Sequence, residues 1–159
     1  MTSNPNVLFI CTGNIFRSMT AEYALRAALG DGADTSVHSA GIIDAPHEIV
    51  SFVTDYMKDK GIDLSRHQPK KLTRAMLDEA DLAVAMDLDH NRQVADTHTH
   101  RLPLFSEIAY GTEEAVQDVC DMVPDWRNNE VAASAYGRSV MDYIFDGMPG
   151  FITRMHSFA

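Results

Sequence analysis

The chain has few cysteines, little positive charge and no long apolar run. Its 159 residues include two cysteines, and 13 Lys and Arg stand against 23 Asp and Glu, which gives a net charge of −10. Two cysteines cannot form a disulfide framework, so we expect a reducing, cytoplasmic environment. The negative charge argues against nucleic acid or an anionic membrane as the main partner. An anionic substrate would therefore need a local positive site.

No apolar segment has the length that a membrane span requires, and the opening residues "MTSNPN" lack the features of a signal peptide. A content of 45% hydrophobic and 23% charged residues is typical of a globular protein. We therefore expect one domain over residues 1–159, with no membrane contact.

Strand-like and helix-like segments alternate along the chain, which predicts an α/β fold. We expect three layers: a central four-stranded parallel sheet flanked by helices, with a phosphate-binding loop after the first strand. The predicted strands cover residues 6–10, 35–41, 81–86 and 100–105. The predicted helices cover residues 18–30, 47–61, 72–80 and 88–96, followed by a final helix from about Asn129 that is interrupted near Gly147 and Pro149. Residues 105–128 show weak periodicity and are predicted to form a long functional loop.

The segment "VLFICTGNIFRS" joins the first strand to the first helix. In a parallel sheet, ligands bind beyond the carboxyl ends of the strands, where loop N–H groups and a helix N-terminus attract anions. Gly13 and Asn14 tolerate the positive φ angles of such a loop, and Arg17 can hold two oxygens of a tetrahedral anion. The predicted phosphate-binding residues are Thr12, Gly13, Asn14, Ile15, Phe16, Arg17 and Ser18.

Cys11 lies at the start of this loop, and the neighbouring arginine and helix N-terminus favour its thiolate form. Ser18 can donate a hydrogen bond to the sulfur and make it a better leaving group. A thiolate that faces a bound phosphoryl group is a nucleophile directed at phosphorus. The Cys-x5-Arg-Ser spacing after a strand therefore predicts a phosphocysteine intermediate. The alternative, a buried structural cysteine beside an ordinary surface arginine, explains fewer of these features.

Several short motifs follow the loop along the chain. They are "SAG" at 39–41, "GIDLSRH" at 61–67, "KKLT" before "DEADLAVAMD", and "VPD" at 123–125. With the loop, they resemble the low-molecular-weight protein tyrosine phosphatases over roughly residues 6–126. The resemblance implies a hydrolase of phosphotyrosine or small aryl phosphate monoesters. It also implies that Cys11 is the nucleophile, Arg17 the phosphate clamp and Ser18 the stabiliser of the sulfur.

The same resemblance implies a supporting hydrogen-bond network of Asn14, Ser18, Ser39 and His67 around the loop. It implies Asp125, in "MVPDW", as the general acid that protonates the leaving phenolate. No cofactor or metal is expected, since the loop and Arg17 neutralise the developing charge. The expected partner is a phosphotyrosine-containing protein or a small aryl phosphate, and the expected state is a monomer or weak dimer.

The chain departs from the family pattern around its acid and beside its nucleophile. The family usually has proline after the acid, whereas Trp126 follows Asp125 here, and a different register offers Asp121 instead. Phe16 occupies the position where many members have a second, protective cysteine, so Cys120 is a speculative redox substitute. Phe16 and Trp126 are candidates for the walls of the substrate pocket.

Other functions remain open at this stage. His98 and His100, with His90 nearby, are separated like possible zinc ligands, but no carboxylate spacing completes a site. Arsenate reductases share "CTGN" and "SAG" but require additional cysteines to relay electrons. A phosphate-loop binding module without turnover is the remaining alternative, because a fold does not determine a function.

Overall fold

A computed structural model describes residues 5–43, 48–88 and 102–159. Its sheet contains β1 (Val7–Cys11), β2 (Val37–Gly41) and β3 (Leu82–Ala85), all parallel, in the order β2-β1-β3. The α/β class is confirmed, and the sheet described has three strands where four were predicted. Leu104 makes an isolated parallel bridge to Ala85. Residues 100 and 101 of the predicted fourth strand lie outside the described residues. From Leu102 onward the pairing is limited to this bridge, because Pro103 has no N–H to donate and a helix begins at Phe105.

The helices flank the sheet and largely match the periodicity of the sequence. They are α1 (Arg17–Leu29), α2 (Ser51–Asp59), α3 (Arg74–Glu79), α4 (Phe105–Tyr110), α5 (Val119–Met122), α6 (Glu130–Asp146) and α7 (Met148–Phe158). Thr73 caps α3, since its Oγ1 accepts a hydrogen bond from the N–H of Met76 at 3.2 Å. The final helix is interrupted at Gly147, as predicted. None of the described helices has the length and apolar character needed to cross a membrane.

The structure differs from the sequence prediction at residues 105–128, and it does not describe most of residues 88–100. Residues 105–128 do not form one long loop, because the two short helices α4 and α5 lie within them. Their turns are too short for a helical period to emerge from the sequence. The predicted helix over 88–96 and the histidines His90, His98 and His100 lie outside the described residues, apart from Leu88.

β1 is buried on both faces, as its continuous apolar sequence predicts. Phe9 faces the larger side of the core, where its ring centroid lies 5.4 Å from that of Phe151 and 6.5 Å from that of Phe105. Leu8 and Ile10 face the smaller side. This alternation places Cys11 at the end of a rigid, central strand, on the larger side of the sheet.

Candidate active site

The backbone of the loop after β1 is hydrogen-bonded to the end of β2 and the residues that follow it. Cys11 pairs with Gly41, the carbonyl of Cys11 accepts from the N–H of Ile42 at 3.0 Å, and the carbonyl of Thr12 accepts from the N–H of Ile43 at 3.0 Å. Gly41 lies so close to the loop that a Cβ there would be 2.8 Å from the backbone of Gly13 and Thr12. The "SAG" motif therefore has a steric reason: only glycine lets the two backbones approach this closely.

Cys11 is buried at the base of the loop, and two polar groups contact its sulfur. The Oγ of Ser18 lies 2.9 Å from Sγ, and the N–H of Asn14 donates to Sγ at 3.3 Å. Asn14 adopts a left-handed conformation with φ of 59°, as the sequence predicts. This conformation turns the loop so that its amide points inward at the thiol.

The side chain of Asn14 is the centre of a buried hydrogen-bond network. Its Nδ2 donates to Ser18 Oγ at 2.9 Å and to Ser39 Oγ at 2.7 Å, while its Oδ1 accepts from the N–H of Lys70 at 3.1 Å. The backbone carbonyl oxygen of Asn14 is 2.9 Å from His67 Nε2. The structure thus brings together all four residues of the predicted supporting network.

Arg17 begins α1 and is 2% exposed. Its Nη1 donates to Asp87 Oδ2 at 2.8 Å and to the carbonyl of Val116 at 2.9 Å, and its Nη2 donates to Thr12 Oγ1 at 3.2 Å and Asp118 Oδ2 at 3.3 Å. Burial by itself lowers the pKa of Arg17, but the charges of Cys11, Asp118 and Asp87 outweigh it and raise the pKa. The guanidinium is therefore a fixed cation at the site.

Asp118 is a pocket residue that the sequence analysis missed. Its carboxylate lines the same cavity as Cys11 and contacts Arg17. No pattern in the sequence selects it, because Val-x-Asp occurs three times within residues 116–125, as Val116-Gln117-Asp118, Val119-Cys120-Asp121 and Val123-Pro124-Asp125. On sequence alone, the proline before Asp125 favours the third copy.

Neither of the two acids predicted from sequence lines the cavity. Asp125 has a positive φ of 54°, and its Oδ1 accepts from Asn128 Nδ2 at 2.8 Å within its own turn. Asp121 lies one turn into α5, where its Oδ2 accepts from the N–H of Asp118 at 3.4 Å. Of these three acids, Asp118 alone lines the cavity that Cys11 also lines.

A cavity of about 370 Å³ opens above Cys11, and most of its walls are apolar. Phe16 and Trp126 both line it, as predicted for the substrate pocket, and the guanidinium of Arg127 lies 5.3 Å from the Trp126 ring centroid. The lining residues are Cys11, Thr12, Gly13, Ile15, Phe16, Ile43, Glu48, Val50, Phe52, Val53, Asp118, Val119, Cys120, Trp126 and Arg127. The loop after β1 therefore forms one side of a cavity whose other walls are mostly apolar.

Cys120 lines the same cavity but differs from Cys11 in its environment. It is exposed as a residue, and partial burial of the thiol together with the charges of Asp118 and Asp121 raises its pKa. A raised pKa leaves less thiolate to react at neutral pH. Both thiols are free, and the redox role of Cys120 stays a prediction. Within the described part of the chain, no cluster of three His, Cys, Asp or Glu residues could hold a metal ion.

Fold and site together define a class of α/β proteins that hold an anion loop between the first strand and the first helix. The family model for low molecular weight phosphotyrosine protein phosphatases matches residues 6–152, and the chain belongs to that family. This confirms the resemblance that the sequence motifs suggest.

Two curated relatives and one solved structure carry three different activities in their names. A low molecular weight protein-tyrosine-phosphatase from Acinetobacter johnsonii is 34% identical over 97 residues, 58% of this chain and 63% of that protein. Arsenate reductase 2 from Staphylococcus haemolyticus is 37% identical over 87 residues, 54% of this chain and 63% of that protein. An arginine phosphatase from Geobacillus stearothermophilus superposes with a TM-score of 0.78 at 22% identity, covering 97% of this chain and 94% of that chain.

The chain thus matches less than two thirds of the length of the two curated relatives. The solved structure, at 22% identity, shows the shared fold alone. The choice among the three activities has to come from the site of this chain.

Proposed function

We propose that the protein hydrolyses aryl phosphate monoesters, with phosphotyrosine in a protein as the substrate class. The observation that carries the proposal is that Cys11 and Asp118 line one apolar cavity, while the buried Arg17 contacts Asp118 at 3.3 Å. The Cys11 thiol lies 2.9 Å from a serine hydroxyl. A nucleophile, a phosphate clamp and a proton donor are the groups that this hydrolysis requires.

In the first step, Cys11 Sγ attacks as the thiolate and forms a bond to phosphorus while the bond from phosphorus to the phenolic oxygen breaks. Asp118 enters this step as the carboxylic acid and gives its proton to that oxygen, and the loop N–H groups with Arg17 hold the remaining phosphoryl oxygens. In the second step, a water oxygen attacks phosphorus and Asp118 takes a proton from the water. The phosphorus–sulfur bond breaks and its electron pair returns to Sγ, which completes the cycle.

The walls of the cavity favour an aromatic leaving group. Phe16, Trp126 and the neighbouring aliphatic side chains offer apolar surface to an aryl ring. A phosphoarginine would place a charged, strongly hydrated group against the same surface. Arsenate reduction is disfavoured because the chain has only one thiol besides Cys11, and that thiol has a raised pKa.

Turnover of p-nitrophenyl phosphate from acid to neutral pH tests the proposal. We expect hydrolysis without added metal or reductant, and a higher kcat/KM for a phosphotyrosine peptide than for the same peptide with phosphoarginine. The reverse order of the two peptides would contradict the substrate class. Phosphate binding without any turnover would instead favour the alternative of a binding module.

Asp118→Asn tests the acid. We expect kcat for a phosphotyrosine peptide to fall by about 10²–10⁴-fold, the usual contribution of a general acid or base. Asp125→Asn is the matched control, since its carboxylate is engaged with Asn128 outside the cavity, and we expect kcat within about threefold of wild type for a surface substitution. Steady-state kinetics of both variants decide the assignment, and a larger loss in Asp125→Asn would reverse it.

A further inference from the structure

Glu22 is a buried acid that no catalytic step has used so far. We infer that it is a positioning residue whose carboxylate sets the direction of a hydrogen-bond chain that ends at the sulfur of Cys11. The inference rests on the proposed function, in which that sulfur is first nucleophile and then leaving group. Glu22 does not line the cavity, so it acts on the catalytic cycle only through this hydrogen-bond chain.

The chain begins at the side chain of Glu22, which is 5% exposed on α1. Its Oε1 accepts from Ser39 Oγ at 2.5 Å, and its Oε2 pairs with Arg26 Nη1 at 3.0 Å. An ionised carboxylate has no proton to give, so the hydroxyl of Ser39 must donate its single hydrogen to Glu22. The oxygen of Ser39 is then available only as an acceptor toward the loop.

Asn14 continues the chain in one orientation. The backbone N–H of Lys70 can only donate, which fixes the amide oxygen of Asn14 on that side and its NH₂ group on the other. The two amide hydrogens are then used on Ser39 Oγ at 2.7 Å and Ser18 Oγ at 2.9 Å. Ser39 and Lys70 thus hold the side chain of Asn14 from both ends.

Ser18 is the last member. Its oxygen accepts from Asn14, and therefore its single proton remains for Cys11 Sγ at 2.9 Å. Donation in this direction stabilises negative charge on sulfur, both before attack and when the phosphorus–sulfur bond breaks. The direction of each hydrogen bond in the chain, including the one from Ser18 to the sulfur, therefore follows from the carboxylate of Glu22, which can only accept.

A glutamine at position 22 removes this direction. Glu22 presents one oxygen to Ser39 and one to Arg26, whereas glutamine has a single oxygen and a donating NH₂ group. One of the two partners must then face the NH₂ group. Ser39 is the partner that can do so, because a hydroxyl can also accept a hydrogen bond whereas the guanidinium of Arg26 can only donate. The proton of Ser39 then turns toward Asn14, the amide of Asn14 rotates, and the hydroxyl of Ser18 turns away from the sulfur.

Glu22→Gln is the test variant. We expect kcat for p-nitrophenyl phosphate to fall by about tenfold to a hundredfold, the loss of one hydrogen bond to a charged group, with little change in KM. Phosphocysteine should accumulate during turnover, because sulfur has become the poorer leaving group. Quenched samples analysed by intact mass report that accumulation, which a general loss of structure would not produce.

Arg26→Met is the matched control. It removes the ion pair on the solvent side and keeps the carboxylate that accepts from Ser39. Arg26 is half-exposed, so we expect kcat within about threefold of wild type and no accumulated phosphoenzyme. A loss in Arg26→Met equal to that of Glu22→Gln would overturn the inference, as would wild-type kcat in Glu22→Gln. If Glu22→Gln does not fold, Ser39→Ala interrupts the same chain one link later and carries the same expectations.

A second measurement does not depend on turnover. The side-chain amide resonances of Asn14 report both of its donated hydrogen bonds, and we expect them to shift in Glu22→Gln and to stay in place in Arg26→Met. Unshifted Asn14 resonances in Glu22→Gln would refute the inference whatever the activity. A wild-type protein without turnover would refute the proposed function, while the Asn14 resonances would still decide the role of Glu22.

Discussion

Replacing Cys11 with serine is expected to abolish turnover of p-nitrophenyl phosphate, with a loss on the order of 10⁴-fold or more in kcat. A serine hydroxyl at the same place is not ionised, and no base lies within the contacts of Cys11 to activate it, since its described partners are Ser18 and the N–H of Asn14. Phosphate binding should persist, because the loop amides and Arg17 are unchanged. Turnover and phosphate affinity, measured on one preparation, separate the two effects.

The other thiol of the chain supplies the control for this variant. Cys120→Ser should retain turnover, since Cys120 makes no described contact with the nucleophile. Substantial activity in Cys11→Ser would show that the hydrolysis does not pass through this thiol. Loss of activity in Cys120→Ser alone would point toward a relay between two cysteines, as in a reductase.

Gly41→Ala is expected to disrupt the loop without touching any side chain of the site. The new Cβ would lie 2.8 Å from the backbone of Gly13 and Thr12 and 3.0 Å from the N of Asn14. The backbone of residue 41 cannot retreat, because its N–H donates to Lys70 and its carbonyl accepts from Leu72, each at 2.7 Å. We expect stability to fall by about 1–3 kcal/mol, as for an overpacked core.

The larger effect of Gly41→Ala is on catalysis. Displacement of the loop backbone moves the amides that hold phosphate, and a shift of this kind costs about a hundredfold in rate. Gly61→Ala is the matched control. Gly61 has a φ of 78° and no atom within 4 Å of its Cβ position, so alanine strains the backbone of its own turn without a steric contact to the loop. We expect it to lower stability and keep kcat, whereas equal loss of kcat in both variants would contradict a local steric cause.

The sequence predicted the elements whose physical signal is local. The apolar run of β1, the helical spacing of α1 and the interruption at Gly147 each depend on neighbours in the chain, and each is present in the structure. The predicted network around Asn14 also forms, though its residues are up to 53 positions apart. That part came from the resemblance to the family, because spacing alone does not reveal such contacts.

The acidic residues of the site are where sequence reasoning was weakest. Asp87 lies two residues after the end of β3 and contacts Arg17 at 2.8 Å, so its place beyond the carboxyl end of a strand was a usable signal. Glu22 lies among apolar neighbours on α1, and its burial depends on Ser39 from another element. Asp118 lies in a segment of short turns that holds three copies of the same Val-x-Asp motif. In each case the tertiary contact, which no local pattern encodes, decides which carboxylate reaches the site.

The central claim is that phosphate is transferred to Cys11 and then to water. Rapid-quench mass spectrometry of Asp118→Asn during turnover of p-nitrophenyl phosphate tests it most directly, since loss of the base slows hydrolysis of the intermediate while this good leaving group still departs. We predict a species heavier by one phosphoryl group, with the modification on the peptide that contains Cys11. A variant that releases p-nitrophenol with no phosphorylated species, or with phosphate on another residue, would contradict the account.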